Sequence, residues 1–460
     1  MRIFDTVYFN NNTLRRCIIL FLLLATVTAC INQSSSGIHS EDDLLIEQAT
    51  TTFFVSTPQG TPPDVDIYLD IVDEVTGIYI NPVRHKLNFV SENLYSLELF
   101  YPASSLIKYR YAMGSNPTTI EHNTSGKPVH YRVLSIQPNS PIIIRDVVAS
   151  WADTRLNISL GRIEGKLLDA NTRKGIPNLL VHMNGMQTIS KDTGEFHLEA
   201  ALPGKYLLTI HSLDGRYQSF QQEAIIAPEA STPVEVSLIP RPDTKVTFIV
   251  MPPPGHNPQA SIKLIGSTTH FGNAFSEILG TTSIKAANAP ALLPQSDGTY
   301  KLTLTLPTGM DLKYKFSIGD GFWNAERQAD GQFLTRQLIV PDEDGVINES
   351  IANWKTTDRT PIRIEVHSQP DDKIPQYLFI QFYSYTWAEP IPMWQDTENT
   401  GWLYEIYSPL YLLPTVGYRM CYDAQCNDPV FINDAGEPEE FLFSTDGSQP
   451  LIRHLLPPTQ

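Results

Sequence analysis

Several familiar features are missing from this 460-residue chain, and each absence removes a class of function. There is no His-Glu-x-x-His, no Gly-x-Ser-x-Gly, no P-loop and no Gly-x-Gly-x-x-Gly, so no signature of a zinc peptidase, serine hydrolase, nucleotide-phosphate site or dinucleotide site is present. Helical periodicity is nearly absent, and a catalytic fold of usual size has nowhere to fit. Positive charge is short as well, with 33 Lys and Arg against 50 Asp and Glu. The resulting net charge of −17 repels phosphate backbones and argues against nucleic acid as a partner. No apolar run is long enough to span a bilayer, which takes roughly 20 residues; the run from Ile18 to Ala25 is less than half of that.

What is present begins at the N-terminus. Arg15 and Arg16, the short apolar run, and then Val27-Thr28-Ala29-Cys30 have the layout of a cleavable export signal. The last four residues resemble the bacterial lipobox, in which a branched apolar residue and two small residues precede a cysteine that is lipid-modified after cleavage. The resemblance implies a lipoprotein signal peptide over 1–29 and lipidation at Cys30. It also implies a protein exported and lipid-anchored to the bacterial cell envelope, facing the extracellular or periplasmic side. Anchoring by more than one acyl chain is stable where a single chain is marginal. Loss of a leader containing Arg2, Arg15, Arg16 and Asp5 takes the net charge to about −19. Residues 30–47, polar around Asn32–Ser36 and acidic at Glu41-Asp42-Asp43, offer no core and read as a flexible tether. Cys17 leaves with such a leader and Cys30 takes the lipid. In an oxidising compartment Cys421 and Cys426, flanking Tyr-Asp-Ala-Gln, then form a disulfide or stay as two free thiols.

Beyond the tether, 35 prolines and short alternating apolar runs point to β structure throughout. Internal repetition is the strongest signal. Thr52-Phe-Phe-Val-Ser-Thr-Pro58 aligns with Thr247-Phe-Ile-Val-Met-Pro-Pro253, Tyr95-Ser-Leu-Glu-Leu99 with Tyr300-Lys-Leu-Thr-Leu304, and Lys108-Tyr-Arg-Tyr111 with Lys313-Tyr-Lys-Phe316. The two copies close on Trp151 and Trp354. A more diverged copy opens at Ile364-Glu-Val-His367, with Tyr404 in the place of Tyr300 and Tyr418-Arg-Met420 in the place of Tyr314-Lys-Phe316. The period of two describes half-buried strands, with Tyr109, Tyr111, Tyr314 and Phe316 facing a core or one another.

This order of strands is similar to the starch-binding domain of amylolytic enzymes, carbohydrate-binding module family 20, an antiparallel β-sandwich. The unit between the first two copies carries Gly161-Arg-Ile-Glu-Gly165, Lys174-Gly-Ile-Pro177, Lys191-Asp-Thr-Gly194 and Leu202-Pro-Gly-Lys-Tyr206. It resembles the carboxypeptidase regulatory-like domain, a transthyretin-like sandwich that serves as a spacer or folding module and implies no peptidase. The expected fold is therefore all-β, with four tandem immunoglobulin-like or transthyretin-like β-sandwich domains after the signal peptide. Their expected bounds are 48–153 and 243–356 (starch-binding-like), 158–240 (regulatory-like) and 358–460 (a diverged starch-binding-like copy).

If these sandwiches bind glycans, a sugar ring stacks on an exposed aromatic while amides and carboxylates bond its hydroxyls. The family resemblance implies a stacking role for Trp323, which follows the Lys-Tyr-Lys-Phe strand, and places Tyr79 where the other aromatic platform falls. In the diverged copy Trp387, Trp394 and Trp402 stand close together, and Trp387 and Trp394 are candidates for a platform or for core. Loop aromatics rather than strand aromatics are the residues to examine. His182, His197 and His211 read as sheet-surface or packed residues, and Asp342-Glu343-Asp344-Gly345 as a solvated turn lacking the ligand pattern of an EF-hand. No metal, cofactor or catalytic residue is expected. The functional expectation is a monomeric, non-catalytic surface lipoprotein that binds or displays polysaccharide and meets the membrane through Cys30. The alternative is a structural or adhesion lipoprotein whose sandwiches are spacers.

Overall fold

Alternation of β-branched and aromatic residues with polar ones favours extended chain. In the computed structural model every regular element among the described residues is a strand. The structure describes residues 48–72, 83–115, 118–137, 142–152, 155–268, 271, 289–319, 324–356, 360–369, 375–383, 387–396, 401–408 and 414–457. The leader, the tether with Cys30, and the candidates Tyr79 and Trp323 lie outside them. No helix among the described residues is long and apolar enough to cross a membrane.

The strands form four β-sandwich modules in tandem, and one core pairing serves all four. Each opening strand, Gln48–Ser56, Gly161–Asp169, Asp243–Met251 and Ile362–His367, lies inside its first sheet. It runs antiparallel to Leu94–Pro102, Glu195–Ala201, Tyr300–Pro307 or Gly401–Ile406, and parallel to the closing strand Ile142–Val147, Ser231–Leu238, Gly345–Ser350 or Leu451–Leu455. The second sheets are built on the pairs Ile67–Ile71 with Leu106–Met113, Leu179–Met183 with Gly204–Ser212, Ile262–Gly266 with Asp311–Ile318, and Phe379–Tyr383 with Thr415–Cys421. Module 2, a different unit by sequence, thus has the strand arrangement of its neighbours.

Register corrects one alignment. Val55, Val250 and Val366 are equivalent, and opposite them stand Tyr95, Tyr300 and Trp402. Trp402, rather than Tyr404, therefore takes the place of Tyr300. A shift of two residues leaves every side chain on its original face, so spacing alone does not detect it.

The same register exposes a buried polar network that two modules share and a third replaces. In module 1, Arg132 is 1% exposed and pairs with Glu121 at 2.7 Å and Asp146 at 3.0 Å. Tyr109 and Tyr111 donate their hydroxyls to Asp146 at 2.8 and 2.9 Å. In module 3, Arg336 pairs with Glu326 and Glu349, and Tyr314 donates to Glu349 at 2.7 Å. Burial pushes the pKa of Glu326 up even though Arg336 opposes the shift. Burial also works to discharge Arg132, but Glu121 and Asp146 more than offset it and leave its pKa above the ordinary value. In module 4 the equivalent positions carry Val430, Phe441 and His454. The rings of Phe441 and His454 lie 4.3 Å apart, and Tyr418 Oη meets His454 Nε2 at 2.7 Å. One sandwich thus exists in an ionic and an aromatic version.

Residues 46–460 form one compact unit, and polar seams join its modules. Between modules 1 and 2, Asn184 Oδ1 accepts from Arg132 at 2.9 Å and from the Val147 amide at 3.1 Å. Asn184 (φ 44°) and Gly185 (φ 79°) supply the two positive-φ positions that a tight hairpin turn needs, and this turn carries Asn184 into module 1. Modules 1 and 3 meet where the Leu106 amide donates to Asp311 at 2.7 Å and Gln337 donates to Ser105 at 2.9 Å. Modules 3 and 4 share one apolar core cluster. Across it Asn324 accepts from the Tyr407 amide at 2.9 Å and donates to the Glu405 carbonyl at 2.7 Å.

Cys421 and Cys426 are joined by a disulfide with Cα atoms 5.0 Å apart. Within this loop Asp423 accepts from the amides of Gln425 at 2.8 Å and Asp428 at 2.6 Å. The bridge spans only five residues, so the loop-closure entropy it removes from the unfolded chain is small. Cys421→Ser with Cys426→Ser is expected to cost about 2 kcal/mol in chemical denaturation.

Candidate functional site

The second sheet of module 4 presents an outward face built by simple alternation. Ile380 and Phe382 point into the core, so Gln381 and Tyr383 point out. Cross-strand register sets Arg419 opposite Gln381, and Gly417 between Tyr383 and Leu442. Gly417 has no side chain to raise between them, and a Cβ there would stand 3.3 Å from Cβ of Tyr383. Tyr383 is 42% exposed and Leu442 68% exposed.

Trp387 folds back over this face. It makes a β-bridge with Tyr383, and their rings lie 5.1 Å apart at 51°. The Arg419 guanidinium sits 4.4 Å from the centre of the Trp387 ring, a favourable cation–π arrangement. Gln381 fixes the guanidinium: its Oε1 accepts from Arg419 Nε at 2.8 Å, while its Nε2 donates to the Ala388 carbonyl at 2.7 Å. The result is a partly exposed aromatic pair beside an oriented cation and an anchored amide. Aromatic surface of this kind stacks on the C–H face of a sugar, and flanking donors reach ring or substituent oxygens.

The corresponding cations of modules 1 and 3 are Arg110 and Lys315, and both are buried. In module 1 this face meets module 2 through Val72, Leu106, Tyr131, Val133 and Leu180. Of the three, only Arg419 is partly exposed.

The other candidates fall elsewhere. Trp394 is 4% exposed and packs on Tyr404 with ring centres 5.1 Å apart, so it belongs to the core and offers no platform. Trp402 is buried too. Trp354 is buried, and Trp151 is half-buried with its indole N–H on Thr61 at 3.0 Å. His197 lies exposed 3.5 Å from Glu164, and His211 meets Ser219 at 3.2 Å. Asp344, exposed after the bend at 342–343, accepts from the Lys245 amide at 2.8 Å. No cluster of His, Cys, Asp and Glu suited to a metal exists among the described residues. A cavity of about 40 Å³ where modules 1, 2 and 3 meet has room for a few waters, not for a sugar ring.

Tyr383, Gln381 and Arg419 are not among the residues expected from the sequence. Their signal lies in Phe379-Ile-Gln-Phe-Tyr383, whose alternation sends an aromatic outward at a strand end rather than in a loop.

No family model matches the chain, and no curated protein does. Among solved structures, the TIE protein of Bacillus anthracis is 10% identical, with 99% of this chain and 80% of that one covered and a TM-score of 0.18. A streptococcal ancillary pilin is 8% identical over 66% of this chain and 99% of its own, with a TM-score of 0.22. A putative carbohydrate binding protein from Bacteroides uniformis is 13% identical over 38% of this chain and 95% of its own, with a TM-score of 0.15.

Proposed function

We propose that this chain is a non-catalytic envelope lipoprotein that binds polysaccharide through the outer face of module 4. The observation that supports this most is the Tyr383–Trp387 aromatic pair with Arg419 held beside it by Gln381. Modules 1 to 3 serve as the stalk, and residues 30–47, starting at Cys30, tether it to the membrane. Polymeric glycan on a surface that carries many copies gains avidity from multivalency.

The purified mature chain is expected to be retained on at least one insoluble or immobilised polysaccharide. Tyr383→Ala is expected to lower that retention roughly tenfold, about 1.4 kcal/mol, as truncation of an aromatic anchor of a binding site does. Retention on no polysaccharide would favour the second reading, an envelope spacer. The hydrogen-bonded seams that join modules 1, 2 and 3 favour that reading. The anchor has its own test: Cys30→Ser moves the protein from the membrane fraction to the soluble one and abolishes labelling by a fatty acid.

A further inference from the structure

On the footing that the Tyr383–Trp387 surface is a glycan site, we infer that Arg419 recognises a sugar carboxylate, so that module 4 takes a uronate-type acidic polysaccharide rather than starch. The first ground is the state of the guanidinium. Its Nε is used by Gln381, and its two terminal amino groups donate to no acceptor among the described residues. No described carboxylate lies within ion-pair distance of it. The other arginines of module 4 among the described residues behave differently: Arg363 and Arg453 converge on Glu365 at 2.7 and 2.9 Å. Arg84, Arg132 and Arg336 are likewise paired with carboxylates. Glu389 and Glu440, the acidic residues next to this surface in sequence, are exposed and make no ion pair with Arg419.

The second ground is preorganisation. The chain from the Ala388 carbonyl through Gln381 to Arg419 Nε, together with the Trp387 ring, holds the guanidinium plane from one edge and one face. What remains is a planar fork of donors, which matches the two oxygens of a carboxylate bidentately. A neutral hydroxyl uses one donor and leaves the rest of such a fork unmatched. The overall charge adds selectivity, since a chain of net charge −17 does not gather polyanions non-specifically. Any retention of an acidic glycan therefore reports the local site.

The test compares binding of the full mature chain to polygalacturonate, alginate and hyaluronan, each beside its fully methyl-esterified form, with soluble starch and dextran sulfate as further arms. Esterification removes the charge and leaves the sugar rings. At least one free-acid polymer is expected to bind ten times more tightly or better than its ester. Arg419→Lys, which keeps the charge and loses the fork, is expected to erase most of that difference while the thermal melt stays in place. Equal binding to acid and ester, preference for starch, or stronger binding to dextran sulfate than to every carboxylated polymer would overturn the carboxylate assignment and leave the glycan site standing. Binding to none of the polymers would overturn the glycan site itself.

Discussion

Arg132→Met is expected to destabilise module 1 by about 3–5 kcal/mol, because it removes one partner of a buried ionic network and strands the others. Glu121 is fully buried and Asp146 nearly so. Without the guanidinium, Glu121 keeps only the Tyr111 amide at 2.9 Å, and the carboxylate must either stay charged in an apolar setting or take up a proton. Asn184 loses one donor as well and retains the Val147 amide, so the seam to module 2 weakens with the core. The contrast with module 4 sharpens the expectation. Val430, Phe441 and His454 occupy the same positions without any ion pair, and the sandwich closes around them. Replacing Glu121, Arg132 and Asp146 together with Val, Phe and His is therefore expected to cost less than Arg132→Met alone. Denaturant melts of the three proteins measure both effects, and a triple variant less stable than the single one would refute the equivalence.

Acid is expected to loosen the seam between modules 1 and 2 through His182. Burial, with the nearby Arg132 adding to it, lowers the pKa of this imidazole to about 3. The ring stays neutral and accepts the Gly185 amide on Nε2 at 3.2 Å, inside the turn that carries Asn184. In the unfolded chain the same ring takes a proton near its ordinary pKa of 6.5. The unfolded state thus binds the extra proton as pH falls. The contribution is whole above pH 6.5, declines through the window from 6.5 to about 3, and amounts to roughly 3 kcal/mol lost by pH 4. His256, whose pKa burial lowers to about 4, adds a separate loss in module 3. Melting of the wild type and of His182→Gln between pH 8 and pH 4 isolates the part due to His182. An unchanged pH slope in the variant would show that His182 is not the titrating group.

Much of the architecture was legible because it depends on local alternation. Tyr109, Tyr111, Tyr314 and Phe316 all lie in the core, as the period of two requires. The opening-strand repeat with Phe53 and Phe248 gave two modules the same centre. Less was legible wherever a residue acts across distance. The partnership of Glu121 with Arg132 and Asp146 joins a loop residue to two strands, and its replacement by Val430, Phe441 and His454 shares no residue type with it. Strand order in module 2 was hidden for a similar reason, since its inward residues differ from those of its neighbours while the pairing is the same. At the site, Trp387 and Trp394 looked alike as neighbours in sequence. Packing on Tyr404 takes Trp394 into the core, whereas Trp387 lies over the outer face of the second sheet.

The most direct test of the proposed glycan site is indole-resolved NMR of the full mature chain, titrated with an oligosaccharide from whichever polymer retains the protein. The Trp387 indole signal, assigned through Trp387→Phe, is expected to shift with ligand, and Tyr383→Ala is expected to suppress the shift. The signals of the buried Trp394 and Trp402 stay in place. Saturable binding that leaves Trp387 unmoved would contradict the assignment of the site to module 4.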